Sequence, residues 1–181
     1  GKLTTEGLQK AADFIRFCDA FSIPVLSLVS ATGFDTTVAN EKSVAREAAR
    51  LIHTFADASA PKVTLLTGEA YGSAYVTMNS KALGADVTYA WPDASIGMMD
   101  ANEAAKIMYA DDIAKSADVQ SVISEKAAEY AALQSGVESA AARGYVDTII
   151  NPEDTRKYVA AAFEMLYTKR EDRPDKKHGT V

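Results

Sequence analysis

The sequence predicts an α/β fold in which buried strands alternate with amphipathic helices. Three observations carry this. Residues 25–29 and 63–66 are short, apolar, β-prone runs, each with a proline just before it (Pro24 and Pro61). Longer segments with apolar residues at helical spacing lie around them. Both runs also lead into glycine-containing loops, and in α/β folds the carboxyl ends of strands are where ligands sit.

The elements follow in order. Thr4 or Thr5 caps a helix reaching about Phe21, with Leu8, Ala11, Ala12, Ile15 and Cys18 on its apolar face. Pro24 ends it, and residues 25–29 read as a buried strand. Ala31-Thr32-Gly33-Phe34 then forms a loop. A second helix spans 41–58, with Val44, Ala48, Leu51, Ile52 and Phe55 turned inward. Residues 63–66 form the next strand. Residues 86–91 alternate like a strand, Pro92-Asp93 breaks it, and 95–98 is a further short strand. Residues 102–109 and 119–143 are helical, the second segment rich in alanine and stopped by Gly144. A strand over 146–150 and a last helix opened by Asn151-Pro152-Glu153-Asp154 complete the pattern; that helix carries Val159, Ala162, Phe163, Leu166 and Tyr167.

The length of 181 residues fits one domain with a sizeable core, here residues 1–168 followed by a polar tail over 169–181. The net charge of −6, without a basic stripe, argues against nucleic acid. The basic residues Lys169, Arg170, Lys176 and Lys177 are interleaved with Glu171, Asp172 and Asp175, as in a solvated tail. A single cysteine, Cys18, excludes an intrachain disulfide and reads as a small core residue. No apolar run approaches membrane-spanning length, no signal peptide opens the chain, and a cytoplasmic location is expected.

The chemistry concentrates between Val63 and Tyr75. Gly72, Ser73 and Ala74 lack bulk, so a ligand can approach their backbone. A helix starting there leaves N–H groups without intrahelical partners, which suits an oxygen gaining negative charge. The same residues also suit a tight strand-to-helix packing turn with no ligand. A second glycine turn, at Gly33 on the neighbouring strand, favours the oxyanion reading. Metal and triad chemistry find little support. His53 and His178 are the only histidines, and neither lies near Cys18 in sequence; a triad at Ser73 would need one of them, and His178 lies in the tail. Asp100, Glu103, Asp111 and Asp112 match no metal loop and read as a solvated helix face.

Several segments together resemble one family. Phe14-Ile15-Arg16-Phe17-Cys18-Asp19-Ala20-Phe21-Ser22-Ile23-Pro24, Pro61-Lys62-Val63-Thr64, Ala70-Tyr71-Gly72-Ser73-Ala74-Tyr75, Ala90-Trp91-Pro92 and Arg143-Gly144-Tyr145-Val146-Asp147 are similar, in order, to the C-terminal half of biotin-dependent acyl-CoA carboxyltransferases. Pro152, Asp154, Thr155 and Arg156 close the match. The family includes propionyl-CoA carboxylase β subunits, the transcarboxylase core and the α subunits of methylmalonyl-CoA and glutaconyl-CoA decarboxylases.

The resemblance implies a crotonase-like fold of repeated ββα units. It implies the biotin-side half of a carboxyltransferase, which moves a carboxyl group between carboxybiotin and a short-chain acyl-CoA. The implied partners are an N-terminal carboxyltransferase domain or subunit and a biotin carboxyl carrier protein, within a homo-oligomer. Ser73 and Ala74 would offer backbone amides to the biotin carbonyl. Gly33, Phe34, Gly72 and Tyr75 would line the pocket, and Val76 would bear on the acyl group. The chain departs from the family's usual pattern at Ser73, at Ser30-Ala31-Thr32, at Asp35-Thr36-Thr37 and at Asp100. A scaffold domain that keeps the fold without the chemistry is the alternative. The alanine-rich run and the aromatics Phe163 and Tyr167 lead us to expect an interface with another subunit.

Overall fold

The computed structural model describes residues 1–116 and 118–171. The chain opens with a two-residue strand, β1 (Lys2–Leu3), and helix α1 (Thr5–Ala20). Thr4 is the cap: its Oγ1 accepts from the Gly7 amide at 3.1 Å. Strand β2 (Val25–Ala31), the short strand β3 (Gly33–Phe34) and helices α2 (Val38–Glu41) and α3 (Val44–Asp57) follow. Strand β4 (Lys62–Tyr71) leads into helix α4 (Gly72–Thr77), then β5 (Val87–Ala90) and β6 (Ser95–Gly97). A helical layer comes next: α5 (Ala101–Met108), α6 (Ala110–Lys115), α7 (Val119–Tyr130), a π-helical turn (Ala131–Ser135) and α8 (Val137–Ala142). Strand β7 (Thr148–Ile149) and helix α9 (Thr155–Met165) end the described chain.

The main sheet is parallel, in the order β2-β4-β5-β7, and β6 pairs with the far end of β4. Parallel strands joined through helices are what the alternation of apolar runs and helical stretches requires. Along β4, Val63 and Leu65 join Tyr89, Ile150 and Ala162 in the core beneath α9. Leu66 belongs to the opposite cluster, with Val29, Ala74, Ile96 and Val137. A third cluster, with Leu8, Ile15, Cys18, Leu51 and Phe55, cements α1 to α3. Cys18 is buried there, as expected of a small core residue.

At the start of β4, Lys62 is fully buried. Its ammonium donates to the carbonyls of Phe55 and Ala58, each at 2.7 Å. These carbonyls close the last turn of α3, so a positive charge sits at the negative end of that helix.

The structure corrects several expectations. Residues 25–29 are not buried on both faces. β2 is an edge strand whose side chains alternate, leaving Leu26 and Leu28 39% and 57% exposed. The segment at Gly33-Phe34 is not a free loop but pairs in parallel with Lys2-Leu3. The helix expected over 41–58 is split at Lys42-Ser43, because buried Asn40 ties the preceding turn elsewhere. It accepts from the Thr5 amide at 2.6 Å and donates to the Asp35 carbonyl at 2.7 Å. The strand expected over 63–66 runs on to Tyr71, since its last residues gain β6 as a partner. The long helix over 119–143 breaks at Gly136, whose extended backbone makes a bridge to Ser95.

Two further corrections concern surfaces. Phe163 packs against the core beneath α9 rather than facing outward, and Ala127 and Ala140 are buried within the domain; Tyr167 is 83% exposed. Lys169 does not join a solvated tail. Its ammonium pairs with Asp86 at 2.9 Å and Glu171 at 2.7 Å. Asp172, Asp175, Lys176, Lys177 and His178 lie outside the described residues.

Lys62→Met keeps the apolar stem but removes the donor to two buried carbonyls. It is expected to lower unfolding stability by about 2–4 kcal/mol, since each orphaned buried group costs roughly 1–3 kcal/mol. Urea unfolding followed by circular dichroism checks this; a midpoint equal to wild type would contradict the capping role.

Candidate active site

The site is built where β4 hands the chain to α4. The last three residues of β4 pair with β6 in the register Glu69 to Ser95, Ala70 to Ile96 and Tyr71 to Gly97. That register brings the Met98 carbonyl against the first residue of α4. Gly72 has φ +55°, and a Cβ placed there would sit 2.8 Å from the Met98 oxygen. Only glycine meets both demands, the left-handed backbone and the close approach of another main chain. A hydrogen-bond chain braces the turn: Tyr71 Oη donates to Ser95 Oγ at 2.9 Å, and Ser95 Oγ donates to the Ser135 carbonyl at 3.3 Å.

Ser73 and Ala74 occupy the first turn of α4, where amides have no intrahelical acceptor. Ala74 is buried in the core beside it. Beside this turn lies a cavity of about 420 Å³. One wall is Gly72, Ser73, Tyr75 and Val76; a second is Ile96, Gly97 and Met98; the third is Gln134, Ala140, Arg143 and Tyr145.

The cavity is mainly apolar, with two notable polar groups. The Tyr75 hydroxyl is buried and has no hydrogen-bond partner among the described residues. Burial, with the neighbouring Tyr145 phenol, pushes its pKa up to about 12, so it stays protonated. Arg143 donates to Gln134 Oε1 at 3.0 Å, linking the end of α8 to the π-helical turn within the cavity wall.

Of the residues expected at the site, Gly72, Ser73, Tyr75 and Val76 line this cavity, while Ala74, Gly33 and Phe34 do not. Phe34 instead packs against the hydrophobic clusters on either side of it. Sequence reasoning missed Met98, Gln134, Arg143 and Tyr145 as wall residues. The segment Arg143-Gly144-Tyr145-Val146-Asp147 carried a signal, although its Asp147 proves structural: it pairs with Lys81 and accepts from the Thr88 amide at 2.8 Å. Ser73 and His53 are not brought together. His53 lines a separate hollow with Arg16, Asp19 and Asp57. No group of His, Cys, Asp and Glu among the described residues could hold a metal ion. Asp100 caps α5, accepting from the Asn102 amide at 2.9 Å.

The carboxyl transferase domain matches this chain over residues 1–181. The chain belongs to the carboxyl transferase domain family. The propionyl-CoA carboxylase beta chain of Saccharopolyspora erythraea is 45% identical over 186 residues, covering 100% of this chain and 34% of that protein. The methylmalonyl-CoA decarboxylase subunit alpha of Propionigenium modestum is 42% identical over 182 residues, covering 100% of this chain and 35% of that protein. In structure, the chain is similar to the transcarboxylase 12S hexamer crystallised with methylmalonyl-coenzyme A and methylmalonic acid. The TM-score is 0.93 at 41% identity, over 98% of this chain and 34% of that one. The chain thus spans about a third of the length of the relatives it matches. The α/β architecture is that of the crotonase-like carboxyltransferases.

The turn predicts an asymmetry between two glycines. Gly144 has φ +82° with nothing near its missing Cβ, whereas Gly72 has both a positive φ and the Met98 carbonyl. Gly144→Ala should cost about 1–2 kcal/mol, the ordinary penalty of a left-handed residue. Gly72→Ala should cost clearly more, and thermal denaturation of the two variants side by side reads the difference. Equal losses would contradict the proposed packing of Met98 against the turn.

Proposed function

We propose that this chain is the biotin-side half of an acyl-CoA carboxyltransferase or decarboxylase. In this reading it moves a carboxyl group between biotin on a carrier protein and a short-chain acyl-CoA, in the cytoplasm. The observation that carries the proposal is the β4–α4 turn: backbone N–H groups opening a helix beside an apolar cavity, at a glycine that admits no side chain.

Biotin fits the residues present. A cavity of about 420 Å³ suits a compact bicyclic ring and is too confined for a whole coenzyme A. Gly72, Ser73, Tyr75 and Met98 would hold the ring. When bound, biotin supplies a ureido group able to carry the carboxyl. The amides of Ser73 and Ala74 would stabilise negative charge on an acceptor oxygen, a contribution that needs no ionisable side chain. Apolar Val76 in the wall favours an uncharged acyl substituent over an acidic one.

The exposed apolar residues support a partner. Phe14, Phe17, Leu26 and Leu28 are each more than a third exposed, on the outer faces of α1 and the edge strand β2. Faces of this kind are covered in larger assemblies. The relatives are about three times as long as this chain, and one structural relative is a hexamer. An N-terminal carboxyltransferase domain, a biotin carboxyl carrier protein and further copies of the subunit are the proposed neighbours. Among the described residues no helix is long and apolar enough to cross a membrane.

The experiment separates backbone from side chain. In the assembled enzyme, Ser73→Ala keeps the N–H and should retain most carboxyl transfer. Ser73→Pro removes it and should lower the rate by roughly 10²–10³, with circular dichroism confirming the fold. Loss of activity in a folded Ser73→Ala protein would return a hydroxyl nucleophile to consideration. An inactive but correctly assembled wild type would favour the scaffold alternative.

A further inference from the structure

Among the described residues that line the cavity, Arg143 alone carries a charge, and no acidic side chain shares the wall with it. The turn after α8 puts it there. Gly144, at φ +82°, lets the Tyr145 amide reach back to the Ala140 carbonyl and the Gly144 amide to the Ala141 carbonyl, both at 3.0 Å. This closed turn fixes the backbone of Arg143 and Tyr145 on either side of a left-handed glycine, and both residues line the cavity. The guanidinium is steadied as well, since one of its terminal nitrogens donates to Gln134 Oε1 at 3.0 Å. Its remaining N–H groups have no acceptor among the described residues. They form part of a planar fork that matches the two oxygens of a carboxylate. The apolar lining strengthens such an attraction relative to open water.

We propose that Arg143 binds the transferable carboxylate of the carboxylated acyl-CoA, and is thereby the residue that separates this substrate from its decarboxylated counterpart. The inference rests on the carboxyl-transfer reading above. In that reading the two compounds differ only at one carbon: methylmalonyl-CoA carries a carboxylate where propionyl-CoA carries hydrogen. Their coenzyme A portions, phosphates included, are identical. The amides at Ser73 and Ala74 address an oxygen that gains charge during the reaction. Arg143 addresses a pair of oxygens already charged before it, so its contribution falls on binding of the ground state. The competing role for Arg143 is structural, a cation at the negative end of a helix. That role does not distinguish one acyl-CoA from the other, and lysine fills it equally well.

The test measures the calorimetric Kd of methylmalonyl-CoA and of propionyl-CoA in the full-length, assembled enzyme, for wild type, Arg143→Gln and Arg143→Lys. Thermal denaturation and light scattering report fold and assembly. Arg143→Gln is expected to weaken methylmalonyl-CoA by roughly 10- to 100-fold, the size of one charge-assisted hydrogen bond, and to leave propionyl-CoA within about twofold of wild type. Arg143→Lys, a point charge without the fork, should recover only part of the loss. Equal weakening of both ligands means a contact with the coenzyme A phosphates or a damaged wall, and overturns the proposal. Unchanged affinities in an enzyme that transfers carboxyl groups assign Arg143 to the helix end and also overturn it. If Arg143→Gln fails to assemble, the ratio of the two Kd values in Arg143→Lys decides, and a ratio equal to wild type overturns the proposal. A wild type that binds neither ligand and transfers nothing overturns the functional reading, and this inference with it.

Discussion

The pairing of β4 with β6 is the constraint on which the rest of the site depends. It extends β4 past the main sheet, and it delivers the Met98 carbonyl to within 2.8 Å of where a Cβ at position 72 would be. The chain can leave that strand only through a left-handed glycine, and the exit direction sets α4 with its first amides beside the cavity. Ser95 links the same pair to the π-helical turn through its contacts with Tyr71 and Ser135. Gly136, bridged to Ser95, then breaks the alanine-rich helix so that α8 closes the third wall. One backbone register thus fixes both the oxyanion candidate and the cavity beside it.

Around this register, polar side chains tie the strands and helices together. Lys62 closes the end of α3. Asp147 ties β7 to β5 and to Lys81, and Trp91 Nε1 donates to Thr155 Oγ1 at 2.9 Å. Segments far apart in sequence, such as Ala90-Trp91-Pro92 and Asp154-Thr155-Arg156, therefore meet in space, which gives a physical reason for their joint presence.

Much of the fold was legible because it follows from local pattern. Thr4 as cap, the apolar stripe of α1 and the strands at 25, 63 and 87 are set by nearest neighbours and periodicity. The turn at Gly72-Ser73-Ala74 was legible because small residues there have a steric reason. What the sequence did not disclose depends on contacts between distant segments. Gly33-Phe34 became a strand only because Lys2-Leu3 lies beside it, and the helix over 119–143 broke only because Ser95 takes Gly136. Gln134 and Arg143 entered the cavity wall for the same reason. Leu26 and Leu28 were indistinguishable from core residues in sequence, since an edge strand with an apolar outer face and a central strand share one apolar composition.

The central claim is that this chain holds one half of a carboxyltransferase site and needs a second half to work. It is tested most directly by assaying carboxyl transfer from malonyl-CoA and methylmalonyl-CoA to free biotin with this chain alone, with the candidate N-terminal half alone, and with the two mixed. The account predicts turnover only in the mixture. Robust turnover by the isolated chain, or none from a correctly assembled mixture, would contradict it.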